Sequence, residues 1–215
     1  MRMRRIPWAA EYLETSPIRI KDPAKMPDKW REKLHCKELH VELGCGKGGY
    51  SLALATQNPD MGVVAVEMNE SAAGLAARKM DEEHPENLAL IFGNGAEIST
   101  WFAPEEVDAL HLNFSDPWPK RRNAKRRLSS PGFLKEYRNI LSDEGQIIMK
   151  TDNQALFEYS LLQIPQAGFV LSDVSVDFRR DEHPEDPITE YEQKFMEKGQ
   201  PIYRAVWTKT KDEND

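Results

Sequence analysis

A glycine-rich segment near residue 45 has the composition of a ligand-binding loop. Gly44, Gly46 and Gly49 follow a short apolar run and satisfy the pattern G-x-G-x-x-G. Such glycines let the backbone approach a ligand closely, and the amino terminus of the helix that follows favours negative charge. Glu67 ends the next apolar run about 20 residues further on, where a carboxylate can accept hydrogen bonds from a ribose diol. The spacing predicts a nucleotide or nucleoside site; the alternative is a tight turn beside a solvent-facing Glu67.

A second carboxylate decides between two classes of cofactor. Glu42 lies within the apolar run before the glycines, where its charge would repel a pyrophosphate and attract a cation. S-adenosylmethionine carries an ammonium and a sulfonium group and no phosphate. Asn94 follows the third apolar run and offers an amide for the edge of an adenine. These residues favour S-adenosylmethionine over a dinucleotide.

The segment after the fourth apolar run combines an acid, an aromatic side chain and a basic run. Asp116 and Trp118 alternate with two prolines, which stiffen the turn. An acid beside a rigid aromatic ring can grip a flat base by its edge and its face. Six of the eight residues 120–127 are basic, although the net charge of the chain is −7. We therefore expect this run to attract nucleic acid and to point away from the adenosine pocket, with a solvated charged face as the alternative.

The elements that must position these residues alternate between two periodicities. Short apolar runs are typical of buried strands, and we place five of them at residues 39–43, 62–68, 88–92, 107–114 and 146–151. Helical patterns separate them, at residues 50–57, 70–83, a short stretch ending near 102, 131–141 and 155–163. This alternation predicts βαβ units, hence a mostly parallel sheet covered on both faces.

The two ends of the chain differ from this pattern. Residues 169–178 and 203–208 predict two further strands without a full crossover between them, hence an antiparallel pair at one edge, with a short helix ending near 198. Residues 1–37 contain four prolines and predict a basic, partly flexible arm with helical pieces at 9–13 and 28–34. Arg2, Arg4 and Arg5 in this arm would add to the nucleic-acid surface.

Composition excludes several classes of protein. The 215 residues are 40% apolar, enough for a real core, and include only two cysteines, which excludes a disulfide framework. No run of 18 apolar residues occurs, so we predict no membrane span and a soluble, cytoplasmic protein. His35, Cys36, His40 and Cys45 do not have the spacing of a zinc site, and we predict no metal.

Five segments together resemble the bacterial tRNA (guanine-N7-)-methyltransferase family, over nearly the whole chain: residues 42–48, 114–128, 150–153, 189–192 and 199–203. The resemblance implies a Rossmann-like α/β sheet of seven strands, mostly parallel with an antiparallel terminal pair and helices on both faces. It implies a methyltransferase domain over 38–209, followed by a charged tail at 210–215. It also implies transfer of a methyl group from S-adenosylmethionine to N7 of the variable-loop guanine, position 46, of tRNA.

The resemblance also implies roles for individual residues. The cofactor would be bound by Glu42, Gly44, Gly46, Glu67, Asn94 and Asp116. The substrate would be bound by Lys120, Asp152, Thr189, Glu190, Tyr191 and Glu192. The RNA would be bound by Arg122, Asn123, Ala124, Lys125, Arg126 and Arg127. Asn94 stands where many members carry Asp, and Asn123 and Ala124 stand where histidine is common.

Guanine N7 has a lone pair and no proton, so methylation there needs no general base. Positive charge develops on the purine, and a carboxylate aimed at the ring stabilises it. Asp116 is the catalytic candidate on these grounds. A nicotinamide-dependent oxidoreductase and a non-catalytic RNA-binding module remain alternatives, and both a monomer and a homodimer are compatible with the sequence.

Overall fold

The computed structural model describes residues 5–211, which form one seven-stranded sheet with helices on both faces. Arg2, Arg4 and residues 212–215 of the charged tail lie outside the described residues. The strands are, in chain order, β1 Glu38–Leu43, β2 Met61–Glu67, β3 Leu88–Phe92, β4 Val107–Asn113, β5 Leu141–Thr151, β6 Phe169–Ser175 and β7 Tyr203–Lys209. Their spatial order is β3-β2-β1-β4-β5-β7-β6. This is the predicted Rossmann-like arrangement.

The pairing directions also agree with the prediction. Strands β1 to β5 pair in parallel, and β7 pairs antiparallel with both β5 and β6. One boundary is wrong by five residues, because β5 begins at Leu141, where Leu141 pairs with Val107 before the ladder resumes at Gln146 and Ala109. The polar residues between these two pairs indicate a turn in the sequence, whereas the structure accommodates them as an irregularity in the strand.

In the described part of the chain, seven α-helices connect or cover the strands: α1 Pro7–Thr15, α2 Trp30–Lys33, α3 Gly49–Gln57, α4 Glu70–Glu83, α5 Pro131–Ile140, α6 Gln154–Gln163 and α7 Glu190–Met196. The predicted helix before residue 102 is a 3₁₀-helix, Gly95–Thr100, and the basic run forms another, Arg121–Arg126. Asn69 and Asn153 accept hydrogen bonds from the first-turn N–H groups of Ala72 and Leu156, and thereby start α4 and α6 directly after β2 and β5.

Much of the segment predicted as a flexible arm is packed against the sheet. Trp30 is completely buried, and its indole Nε1 donates to the Trp101 carbonyl oxygen at 2.7 Å. Ala9 and Leu13 bury one face of α1 against α4. The prolines delimit short helices here, and the described part of the arm contributes Ala9, Leu13, Trp30 and Leu34 to the core.

The two faces of the sheet differ in polarity, and this difference places the site. One face is lined mainly by apolar side chains, and Leu39, Val41 and Leu43 of β1 belong to its cluster. On the opposite face, Val63 and Ala65 of β2 pack under α3 and α4. Strands β1, β4 and β5 instead carry buried polar side chains, among them Glu42, His111, Asn113 and Lys150. No helix within residues 5–211 has both the length and the apolar character needed to span a membrane.

The contact between α1 and α4 depends on the absence of a side chain at Gly74. A Cβ atom there would lie 2.0 Å from the Ala9 carbonyl oxygen, so α1 would have to move. We expect Gly74→Ala to lower Tm and to increase amide exchange in residues 7–15. Overpacking costs about 1–3 kcal/mol, which outweighs the gain of about 1 kcal/mol from alanine's helix propensity.

Gly132→Ala is the matched control for this prediction. Gly132 also lies in a helix, α5, but a Cβ atom there would have no neighbour within 4 Å. The control should be neutral or slightly stabilising in differential scanning calorimetry. Equal Tm changes for the two variants would contradict the proposed packing constraint.

Candidate active site

Two clefts open side by side at the carboxyl edge of the parallel strands. The larger cleft has a volume of about 510 Å³, and its lining includes Glu67, Asn94, Asp116 and Trp118. The smaller cleft has a volume of about 160 Å³, and its lining includes Glu42, Gly46, Asn113 and the start of α7. Gly44 and Phe114 line both. Open α/β sheets bind ligands at this edge, so the clefts form one bipartite candidate site.

Glu67 holds the glycine loop in place at the wall of the larger cleft. Its Oε2 accepts from the N–H of Gly46 at 2.9 Å, and its Oε1 accepts from the N–H of Asn69 at 2.7 Å. Gly44 and Gly46 have φ values of 80° and 59°, which favour glycine. Burial raises the pKa of Glu67, although these backbone donors oppose the shift. Glu67, the residue that we predict to bind the ribose, therefore also shapes the loop.

Glu42 lines the smaller cleft but is almost completely buried, with 2% of its surface exposed. Ser51 donates its hydroxyl to Oε2, and Asn113 donates its amide to Oε1 at 2.9 Å. Burial raises the pKa of Glu42, and both hydrogen bonds oppose this shift. Both oxygens already accept hydrogen bonds from other side chains of the protein. Glu42 therefore forms the floor of the cleft.

The turn after β4 is held in an uncommon backbone conformation. Phe114 and Trp118 have φ values of 49° and 40°, a region that large side chains rarely adopt. Asp116 is exposed between them and lines the larger cleft. Arg127 donates through Nε to the Pro117 carbonyl oxygen at 3.0 Å and through Nη2 to the Trp118 carbonyl oxygen at 3.2 Å. Strain of this kind persists only where neighbouring groups impose it.

The basic run does not point away from the larger cleft, contrary to our expectation. Lys125 and Arg126 line that cleft, and the Arg126 guanidinium lies 4.3 Å from the centroid of the Trp118 ring. Arg127 is half-buried, stabilises the turn and stacks 4.3 Å from the Tyr159 ring, and its RNA contact stays a prediction. The exposed cations of the run are Lys120, Arg121, Arg122, Lys125 and Arg126, whereas Asn123 and Ala124 are half-buried.

Helix α7 brings only part of the predicted substrate segment into the site. Thr189, Glu190 and Tyr191 line the smaller cleft. Glu190 pairs with Lys79 of α4 at 2.8 Å and with Lys47 of the glycine loop at 3.4 Å, and its pKa is lowered chiefly by its hydrogen bond with Lys79.

Glu192 differs from the other residues of the predicted substrate segment, because it is completely buried. Its Oε1 accepts from Arg179 Nε at 2.6 Å, and its Oε2 accepts from Lys150 Nζ at 3.1 Å and from the N–H of Thr189 at 3.2 Å. Asp186 pairs with the same two cations, at 2.7 Å from Arg179. Glu192 thus anchors α7, and its substrate contact stays a prediction.

Two predicted substrate residues lie outside both clefts. Asp152 is half-buried at the end of β5, and burial raises its pKa. Lys120 is exposed where the basic run begins. Neither side chain lines a cleft, so their roles stay predictions.

A hydrogen-bonded row on β1, β4 and α3 was missed by the sequence analysis. His40 Nδ1 lies 3.0 Å from His111 Nε2, and His111 Nδ1 lies 3.1 Å from the Tyr50 hydroxyl at the smaller cleft. The signal was present: polar residues alternate with Leu or Val at positions 38–43 and 110–113. Such alternation places polar groups on one face of a strand.

Two buried polar atoms that lack a hydrogen-bond partner indicate which kind of ligand would fit the site. Asn113 Oδ1 and Ser115 Oγ are buried without a hydrogen-bond partner in the described chain. They flank Phe114, where the clefts meet, and acids lie on both sides. This arrangement fits a nucleoside joined to a cationic group. Within residues 5–211, no three His, Cys, Asp or Glu side chains are grouped for a metal ion.

Comparison with known proteins identifies the chain's relatives. The Methyltransf_4 family model, described as "Putative methyltransferase", matches residues 36–205. A tRNA (guanine-N(7)-)-methyltransferase of Bacillus licheniformis is 44% identical over 211 residues, covering 96% of this chain and 99% of that protein. One of Bacillus velezensis is 40% identical over 215 residues, covering 99% of each.

Solved structures support the fold. The 16S rRNA methyltransferase KamB has a TM-score of 0.65 at 14% identity, covering 86% of this chain and 92% of its own. A SAM-dependent methyltransferase from Aquifex aeolicus has a TM-score of 0.57 at 14% identity, covering 95% and 99%. Together with the family match, these similarities favour a methyltransferase over the oxidoreductase alternative.

The buried histidine pair predicts a loss of stability in mild acid. Burial lowers the pKa of His40 to about 4 and that of His111 well below its usual value, although Asp108 partly opposes the His40 shift and Glu38 lies 3.9 Å from that ring. The unfolded chain binds these protons near pH 6.5, so stability is complete above 6.5 and falls as the pH decreases toward 4. We expect His40 to account for about 3 kcal/mol of this loss.

Urea unfolding at pH 7.5, 6 and 5 checks this prediction. His40→Gln should flatten the dependence of unfolding free energy on pH. His84→Asn, a replacement of an exposed histidine, is the control and should leave the slope unchanged. Parallel curves for His40→Gln and the wild type would contradict the assignment.

Proposed function

The chain belongs to the tRNA (guanine-N7)-methyltransferase family, and we propose that it transfers a methyl group from S-adenosylmethionine to N7 of the variable-loop guanine, position 46, of tRNA. The observation that carries this proposal is the meeting of two clefts at Phe114. The larger cleft has the volume and the acidic side chains needed to bind a nucleoside. The smaller cleft has Glu42 at its floor and an accessible face on α7. A donor and an acceptor bound on the two sides of Phe114 would meet there.

The larger cleft suits the adenosine part of the cofactor. Glu67 carries lone pairs beyond those used by Gly46 and Asn69, and these can accept from a ribose diol. Asn94 lines the same cleft, where its Oδ1 accepts from the N–H of Ala96 at 3.1 Å, which leaves its amide N–H₂ group for an adenine nitrogen. When bound, S-adenosylmethionine supplies an electrophilic methyl group on a sulfonium.

The target base would be held from the α7 side and by the turn after β4. Tyr191 is 57% exposed, and Phe195 of the same helix stacks on Phe114 with ring centroids 6.2 Å apart. A base taken out of its stack recovers stacking on such rings. Asp116 would accept from the N1–H and amino groups of guanine and stabilise the positive charge that methylation creates.

The amino-terminal end of the basic run would recruit the tRNA. Arg121 and Arg122 are exposed and line neither cleft, whereas Lys125 and Arg126 face the larger cleft. The first pair can meet phosphates without affecting the cofactor pocket. The second pair lies where an RNA backbone would pass the reacting base.

The direct test combines the purified protein, methyl-labelled S-adenosylmethionine and a tRNA transcript, followed by mapping of the modified nucleotide. Label should appear at guanine 46, in N7-methylguanosine. A transcript with adenine at position 46 should accept none. Label at another guanine would overturn the position, and no label on any tRNA would overturn the activity.

Asp116→Ala should reduce methyl transfer more than tenfold while leaving the fold and tRNA affinity nearly unchanged. Its carboxylate is exposed on a rigid turn at the cleft, so its loss removes a charge without leaving a cavity. Single-turnover rates measure the effect; a tenfold loss corresponds to about 1.4 kcal/mol of barrier. Asp143→Ala, which removes an exposed acid at the start of β5, is the control. A rate above a tenth of wild type would remove Asp116 from the catalytic role.

The double variant Arg121→Ala/Arg122→Ala should raise the tRNA KM and flatten the salt dependence of binding. The slope of log affinity against log salt should fall by about one unit for each phosphate that the variant no longer neutralises. Lys33→Ala/Lys37→Ala removes the same charge near the amino end of β1, at the opposite edge of the sheet, and should leave the slope unchanged. Superimposable lines for all three proteins would show that the basic run is a solvated face.

A further inference from the structure

The formal charges that line the larger cleft cancel one another. Glu67 and Asp116 are its acids, and Lys125 and Arg126 are its cations; no other charged side chain in the described part of the chain lines it. The ligand proposed for this cleft is not neutral, because the sulfonium of S-adenosylmethionine is joined to the ribose by one methylene group. The two cations therefore oppose the binding of that charge and offset the attraction of the two acids.

The two cations lack an anionic partner in the protein. Both are exposed, and no carboxylate of residues 5–211 forms an ion pair with Lys125 or Arg126. The Arg126 guanidinium instead lies over the Trp118 ring, 4.3 Å from its centroid. A guanidinium in contact with an aromatic face keeps N–H groups at its edge that can donate to a phosphate. Trp118 thus holds a positive charge at the rim of the cleft while leaving its hydrogen-bond donors accessible.

A phosphate group of RNA is complementary to these donors. Residues 120–122 are cationic and exposed and line neither cleft, so the basic run continues from the rim of the larger cleft onto the surface. A strand of RNA bound along the run places phosphates beside Lys125 and Arg126 as well. Each phosphate cancels about one positive charge. The cleft and its rim then carry a net negative charge, which attracts a cationic ligand and leaves the binding of a neutral one almost unchanged.

We infer that a phosphate of the bound tRNA, held by Lys125 and Arg126, changes the charge of the larger cleft and makes it prefer S-adenosylmethionine over S-adenosylhomocysteine. The inference rests on the proposed function and deepens it, because it gives tRNA a regulatory effect on the cofactor site. Transfer of the methyl group to N7 returns the bonding electron pair to sulfur and leaves a neutral thioether, so the added attraction ends when the reaction is complete. Such coupling is reciprocal, and the cationic cofactor strengthens tRNA binding by the same factor.

The test measures the affinities of two probes by isothermal titration calorimetry, with and without a saturating tRNA transcript at fixed ionic strength. Sinefungin carries an ammonium group near the position of the sulfonium and has no methyl group to transfer, whereas S-adenosylhomocysteine is neutral at that position. In the wild type, tRNA should raise the preference for sinefungin over S-adenosylhomocysteine by about 5- to 20-fold. Inorganic phosphate at the same ionic strength should leave the preference unchanged, because no polynucleotide then holds a phosphate at the rim.

Three variants separate the charge effect from RNA affinity. Lys125→Gln/Arg126→Gln leaves the two acids unopposed, so without tRNA it should already prefer sinefungin about fivefold more than the wild type does, and tRNA should add little. Arg126→Lys keeps the charge and should retain the response to tRNA. Arg121→Gln/Arg122→Gln is the matched control, because it removes two cations of the same 3₁₀-helix that line neither cleft. It should weaken tRNA binding but keep the full change in preference once tRNA is saturating.

The outcomes distinguish failure of this inference from failure of the proposed function. If the wild type binds both probes and tRNA but its preference does not change, or if Lys125→Gln/Arg126→Gln responds like the wild type, the inference is wrong and the proposed function stands. Loss of the response in Arg126→Lys would assign it to the contact with Trp118 instead of to charge, and a response to inorganic phosphate would remove RNA as its source. Failure of the wild type to bind either probe, or to bind tRNA, would overturn the proposed function itself.

Discussion

Lys150 carries a charged ammonium group into the interior of the protein, where none of its surface is exposed. An unpaired charge at such a position is strongly unfavourable, so the carboxylates of Asp186 and Glu192 must accompany it, and Arg179 balances them. These partners belong to the connection between β6 and β7 and to α7. The requirement to neutralise one lysine thus pins α7 above the sheet and, with it, the wall of the smaller cleft.

Cationic side chains also hold the turn after β4 in place. Its backbone is strained at Phe114 and Trp118, and the strain is held by Arg127 below and by Arg126 over the Trp118 ring. The side chains in a run of like charges repel one another and usually extend into solvent. Here two of its members are used to fix a loop, which joins the basic run to the turn that carries Asp116.

The fold was predictable because its signals are local. Alternation of apolar runs with helical patterns located the first five strands, and two further apolar segments located β6 and β7. Gly44, Gly46 and Glu67 marked the edge of the sheet at which the two clefts lie. The local sequence does not determine where a charged side chain lies in the folded protein. Glu192 is of a residue type that usually lies at the surface, and its pairing with Lys150, 42 residues away in sequence, makes it internal.

Asn113 could not be singled out for a related reason. Its amide donates to Glu42, which is 71 residues away in sequence. An alternating polar pattern in β1 and β4 indicates that a polar face exists there, but not which atom on it lacks a partner.

The position of β7 has a consequence for how the protein is made. It is the last strand in the sequence, yet it lies between β5 and β6 and pairs with both. During synthesis β5 keeps an unpaired edge, and β6 has no neighbour, until residues 203–209 emerge from the ribosome. Helix α7 is made just before this strand. The half of the sheet that carries the glycine loop can therefore assemble early on the nascent chain, whereas the strand that completes the sheet beside α7 is made last. The two clefts thus lie next to each other in a finished sheet only once nearly the whole chain has been made.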